Sequence, residues 1–148
     1  MTDADYMQLA LVEAKKAEAN GDVPVGAVIV KAGEVIAKAH NMREECCDST
    51  AHAEVIAIRK ACEHLHSWRL INCTMYVTLE PCPMCAGALV LSRMARLVYG
   101  AADIKMGACE SLFNIVSNKN LNHSIDVTAG VCEQQCKEML QEFFKSKR

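Results

Sequence analysis

Two short segments of this 148-residue chain carry side chains that can do chemistry together: His52-Ala53-Glu54, which follows Thr50-Ala51, and Pro81-Cys82-Pro83-Met84-Cys85. Each stands where a helix is expected to start. Free N–H groups and the positive end of the helix dipole there favour thiolate over thiol, and residues three apart share a face, so Cys82 and Cys85 can reach one ion. A single Cys-x-x-Cys also serves redox chemistry, but a structural zinc ribbon would require a second such pair, and Cys132 and Cys136 are spaced by four. Adding His52 gives a Cys2His set with one tetrahedral position open, the arrangement of catalytic zinc. Two thiolates offset the charge of the ion, so such a site acidifies its water less than an all-histidine site and calls for a nearby base. Glu54, turned to another side of the first helical turn from His52, is placed to be that base. Alone, His52 would read as a capping or core histidine and Glu54 as a first-turn carboxylate; the thiol motif tips the reading.

These groups need elements to hold them. Met7, Ala10, Leu11, Ala14 and Ala17 recur at steps of three and four, giving a first helix that stops near Asn20-Gly21. Residues 25–30 and 35–39 are β-branched runs separated by Lys31-Ala32-Gly33, short enough for an antiparallel hairpin. Asp48-Ser49-Thr50 offers caps for a helix over 51–64, 74–79 alternates as a strand, and Glu80-Pro81 breaks it. A helix over 83–92, strands over 96–100 and 125–127, and a closing helix over 131–145 complete the pattern. Strands alternating with helices imply an α/β fold, a central sheet covered on both faces.

Composition bounds the rest. With 51% hydrophobic and 23% charged residues, the chain suits one domain, 1–148, with a single core. Sixteen basic and eighteen acidic residues give a net charge of −2, which excludes a nonspecific nucleic-acid coat and leaves a specific nucleic-acid substrate open. There is no apolar run of membrane-spanning length, and Met1-Thr2-Asp3-Ala4-Asp5 is acidic where a signal peptide is basic, so the expectation is a soluble, cytoplasmic protein. Nine cysteines suit a reduced compartment with some metal-bound thiols; Cys62, Cys73, Cys109, Cys132 and Cys136 are expected to act as small core hydrophobes, and Cys46-Cys47 suggests no role.

His-x-Glu followed by Pro-Cys-x-x-Cys is the signature of zinc-dependent nucleobase deaminases. The resemblance extends over nearly the whole chain, through 22–30, His40-Asn41, 50–57, Trp68-Arg69-Leu70, 78–88, Leu121-Asn122-His123 and Phe143-Phe144. The metal motifs are common to all cytidine-deaminase-like folds; Thr-Leu-Glu-Pro-Cys-x-Met-Cys-Ala-Gly and Leu-Asn-His make the chain similar to the bacterial tRNA-specific adenosine deaminases.

That resemblance implies a three-layer α/β/α cytidine-deaminase-like domain with a central mixed sheet. It implies hydrolytic deamination of adenosine to inosine at the wobble position of a tRNA anticodon stem-loop, with zinc-activated water and Glu54 as proton shuttle. One Zn2+ per chain would be held by His52, Cys82 and Cys85. Asn41 would meet the flipped base or its ribose, although an Asn ending a strand in a turn reads equally well, and Val25 would pack on the base. Asp103, Lys105, Asn122, His123, Phe144 and Arg148 fall where the family touches the anticodon loop. A homodimer is implied as well. Glu110 stands where the family has glycine, raising the expectations of a strained backbone and of repulsion toward phosphate. The alternatives are a deaminase of a free base or nucleoside, guanine or cytidine, and a catalytically idle zinc-stabilised binding subunit, which would have no use for Glu54.

Overall fold

The computed structural model describes residues 1–147. Helix α1 (Asp3–Ala19) starts at a capping box in which the Thr2 hydroxyl accepts the Asp5 N–H while the Asp5 carboxylate accepts the Thr2 N–H, satisfying two donors the helix leaves free. The β-branched runs form β1 (Gly26–Lys31) and β2 (Glu34–His40), joined through Ala32 and Gly33, both at positive φ. A four-residue helix α2 (Arg43–Cys46) precedes α3 (Ala53–Leu65). Then follow β3 (Cys73–Leu79), α4 (Pro83–Leu91), β4 (Arg96–Ala101), β5 (Asp126–Ala129) and α5 (Glu133–Ser146).

The five strands make one mixed sheet in the order β2-β1-β3-β4-β5, in which β1 is antiparallel to both neighbours and β3, β4 and β5 are parallel. Alternation along the strands divides the core between two faces. Ala27, Ile29, Met75, Val77, Leu97 and Tyr99 pack with Ala53, Ala57, Ala61 and Leu89 of α3 and α4. Val28, Val30, Tyr76 and Val98 pack on the other side with Tyr6, Met7, Ala10 and Leu11 of α1 and Cys136 of α5. The three-layer α/β architecture is therefore as the sequence pattern implies. Gly26 is required where β1 enters beneath α1, because a Cβ there would collide with the Ala10 carbonyl and stand 2.5 Å from the Ala14 nitrogen.

This topology gathers the chemistry at one edge. Since β2 and β3 are each antiparallel to β1, they run the same way, and β4 runs with β3. Their C-terminal ends share one edge of the sheet, where α3 and α4 begin and the segment after β4 departs. Open α/β sheets place ligands at that edge.

Three local expectations are corrected. Asp48-Ser49-Thr50 does not cap α3: the Asp48 carboxylate accepts from the backbone and hydroxyl of Thr50 in a turn of its own, and His52 is the N-cap residue. The acceptor for the first helical N–H comes from afar, the Asn41 Oδ1 taking the Ala53 N–H at 2.8 Å. Cys132 is a half-buried N-cap of α5 at positive φ, whereas Cys136, Cys73 and Cys109 are buried as expected. Glu110 has no left-handed backbone, so the expected strain is absent, and its exposed carboxylate accepts from the Tyr99 hydroxyl at 2.6 Å.

Candidate active site

Two helix N-caps converge. His52 caps α3 and Cys82 caps α4, both in extended backbone, with Glu54 and Cys85 in the first turns that follow. Pro83 at the start of α4 fixes φ where no intrahelical N–H bond is needed. The His52 Nδ1 lies 3.7 Å from the Cys82 Sγ and 3.5 Å from the Cys85 Sγ, and the three ligand atoms all lie within 4.8 Å of one another. A tetrahedral ion with bonds of about 2.0 Å to nitrogen and about 2.3 Å to sulfur sets those atoms roughly 3.6 Å apart, so the donor set fits zinc in spacing as well as in type.

Charge gives the same answer. Hydrogen bonding from Cys85, opposed by burial and helped by His52, brings the Cys82 thiol down to about 4. Cys85 moves strongly the other way, because it donates to that thiolate, is buried and faces the Glu54 carboxyl. His52 is raised by its contact with Cys82. Burial lifts Glu54, only 4% exposed, to about 7. The cluster thus carries one thiolate readily and a second only at high cost, and a divalent cation among the three ligand atoms supplies the charge both thiolates require.

A cavity of about 320 Å³ opens on this cluster, bounded by Val25, Asn41, His52, Glu54, Cys82 and Asp103 together with Arg43, Glu80 and Met106. A larger groove of about 420 Å³ lies between α1 and α5, walled by Gln8, Lys15, Glu138 and Glu142. It lacks the clustered metal-ligating side chains, so chemistry and not size identifies the site.

Of the expected substrate residues, Val25, Asn41 and Asp103 line the cavity with His52, Glu54 and Cys82. Asn41 is 5% exposed and bridges two segments: its Nδ2 donates to the Val23 carbonyl at 3.2 Å while its Oδ1 holds α3. The Asp103 Oδ1 accepts the N–H groups of Lys105 and Met106. Lys105, Asn122, His123 and Phe144 lie outside the cavity wall. Lys105, Asn122 and Phe144 are exposed, and the His123 Nε2 donates to the Met94 carbonyl at 2.6 Å. Arg148 lies outside the described residues. Arg43 and Glu80 were missed. Arg43 sits on α2, held by the buried Asp22 through two bonds of 3.2 Å.

A family model for MafB19-like deaminases matches residues 1–148. The chain is 52% identical over 146 residues to the tRNA-specific adenosine deaminase of Bacillus subtilis (strain 168), covering 99% of this chain and 91% of that protein. It superimposes with a TM-score of 0.88 and 48% identity on a structure from work on A-to-I editing by tRNA:A34 deaminases at the wobble position of transfer RNA, over 92% of this chain and 99% of the other. A guanine deaminase from Bacillus subtilis gives a TM-score of 0.66 and 35% identity, over 76% of this chain and 82% of the other.

Proposed function

The chain belongs to the MafB19-like deaminases and to the tRNA-specific adenosine deaminase family, and from that premise we infer how its residues perform the reaction. It is an enzyme that hydrolytically deaminates adenosine to inosine at the wobble position of a tRNA anticodon. The free-base alternative is not favoured, since likeness to guanine deaminases is weaker in identity and superposition. The observation that carries the mechanism is the cluster of His52, Cys82 and the buried Cys85 beside a cavity that His52, Cys82 and the buried Glu54 line.

His52, Cys82 and Cys85 would hold one zinc ion, which when bound supplies a Lewis acid and an acidified water. Glu54 takes the proton of the water that attacks adenine C6 and passes protons to the ring nitrogen and the departing amino group, which leaves as ammonia. Burial around Glu54 disfavours its charged form, which helps the carboxylate take up a proton from the water. Val25 packs against the base. With its carbonyl engaged by α3 and one N–H by the Val23 carbonyl, the Asn41 amide keeps its second N–H for base or ribose. Asp103 meets the nucleotide at the rim, and Lys105, Asn122, His123, Phe144 and Arg148 meet the flanking loop. We assign the whole of 1–148 to a single deaminase domain. Thiols that must be reduced to bind metal suit the cytoplasm, and among the described residues no helix is long and apolar enough to cross a membrane.

Incubated with an anticodon stem-loop, free adenosine, guanine and cytidine, the protein is expected to convert only the stem-loop adenosine, as read by mass. With a net charge of −2, it must bind through a few local phosphate contacts, so affinity falls with salt along a shallow slope. Efficient conversion of guanine with the stem-loop untouched would overturn the RNA assignment.

The exposed side of α4 supports a homodimer. Its sequence is apolar all round, yet Met84 is 39% and Leu91 70% exposed, a pattern that a helix keeps when another chain covers it. Sedimentation should give a dimer for the wild type and a monomer for Leu91→Glu; a wild-type monomer at micromolar concentration would remove the claim.

A further inference from the structure

Between β4 and β5 the segment 102–111 forms the rim of the cavity without any helix or strand of its own. Asp103 and Met106 line the cavity, while Ile104 and Lys105 face outward, Ile104 being 77% exposed. A segment of this kind would ordinarily be loosely held. It is instead built around one side chain. Glu80, 1% exposed between the end of β3 and the Pro81-Cys82 start of the thiol motif, points its carboxylate into the loop. Its Oε2 accepts the N–H groups of Cys109, Glu110 and Ser111 at 3.1, 2.9 and 3.0 Å, and its Oε1 accepts the Asp103 N–H at 3.0 Å together with the Ser111 hydroxyl. Three successive amides turned on one oxygen make a concavity for an anion, and here the anion belongs to the protein.

Two further features serve the same contact. Gly107 packs over the carboxylate, and a Cβ there would stand 2.5 Å from the Glu80 Cδ. Backbone bonds from Glu80 N–H to the Ala101 carbonyl and from Ala108 N–H to the Pro81 carbonyl, 2.8 and 2.9 Å, join the same two segments.

We propose that Glu80 is a positioning residue: its carboxylate fixes the 102–111 rim against the thiol motif, so that Asp103, Lys105 and Met106 stand ready before RNA arrives. A carboxylate is needed because it only accepts. The nearly isosteric amide of Gln turns an NH2 group toward backbone N–H donors, leaving buried donors facing each other. The rim would then have to be ordered during binding, which raises KM and leaves the reacting groups of the assembled complex in place.

The inference rests on the stem-loop reading for its kinetic arm only. In the zinc-loaded enzyme, Glu80→Gln is expected to keep one metal per chain, to speed deuterium uptake by the 102–111 peptide on the order of tenfold or more, and to raise KM for the stem-loop on the order of tenfold with kcat within about threefold. Ser111→Ala should shift both readouts in the same direction by less. Rapid uptake in the wild type, unchanged uptake and KM in Glu80→Gln, or a fall in kcat at constant KM would overturn it. Should Glu80→Gln not fold, Ser111→Ala decides: raised uptake and KM support the role, and wild-type values of both overturn it. Deuterium uptake needs no turnover, so an inactive wild type would count against the stem-loop reading and leave this one to be settled by exchange.

Discussion

Glu54→Gln should lower stem-loop turnover on the order of 10²-fold or more while keeping fold and metal. The substitution preserves shape in a position only 4% exposed, so no cavity is opened. It removes a buried carboxyl whose charged form burial disfavours more than its neighbours His52 and Cys85 favour it, so stability is not expected to fall. What is lost is the proton path. An amide can hydrogen-bond to the attacking water and to the ring, but it cannot carry a proton from one to the other, and both steps need that transfer. The effect should therefore fall on kcat and kcat/KM alike, with substrate binding near wild type. Turnover equal to wild type, in a variant shown by metal analysis to be loaded, would exclude Glu54 as the shuttle. The same variant separates enzyme from binding module, because a protein whose zinc served structure alone would be indifferent to it.

The placing of a side chain is legible in the sequence where it depends on residue type and on standing at a helix start. Cys82, Cys85 and His52 meet this test. Where position depends on a distant partner, local pattern fails. Helix α2 is four residues long, too short for a hydrophobic period, and is held by Asp22, whose carboxylate accepts the Glu44 N–H at 3.0 Å and pairs with Arg43. Asp48 and Thr50 have the chemistry of caps, but the acceptor that serves α3 is Asn41, twelve residues upstream of Ala53. Glu80 read as a strand ending before a proline, a sound description of its backbone. Its side chain acquires a task only once β3 and β4 lie side by side and bring Asp103 and 109–111 to it. Glu110 shows the converse: a residue that departs from the family's glycine looked troublesome, and an ordinary φ with a bond to Tyr99 accommodates it.

Cys85→Ala is expected to abolish stoichiometric metal, and Cys132→Ala to leave it unchanged. Removing an outer hydrogen-bond partner of a ligand typically weakens a metal about 10–100-fold, so losing one of only three protein ligands should exceed that and leave dialysed protein nearly metal-free. Cys132, a half-buried cap on α5 near Gln8, stands on the opposite face of the sheet from α3 and α4 and has no route to the cluster. The pH dependence of binding follows from the thiols. The ion needs both as thiolates and His52 neutral, whereas without it Cys85 holds its proton well above the ordinary thiol range and His52 is raised by Cys82. Binding must therefore release protons, and apparent affinity should fall as pH falls, on the order of tenfold per pH unit for each proton released. Calorimetry in buffers of different ionisation enthalpy counts those protons directly. Cys85→Ala with full metal, alongside metal loss in Cys132→Ala, would refute the ligand set. Binding with no proton release would refute the account of the thiols as a charge-sharing pair even if the three ligands stood.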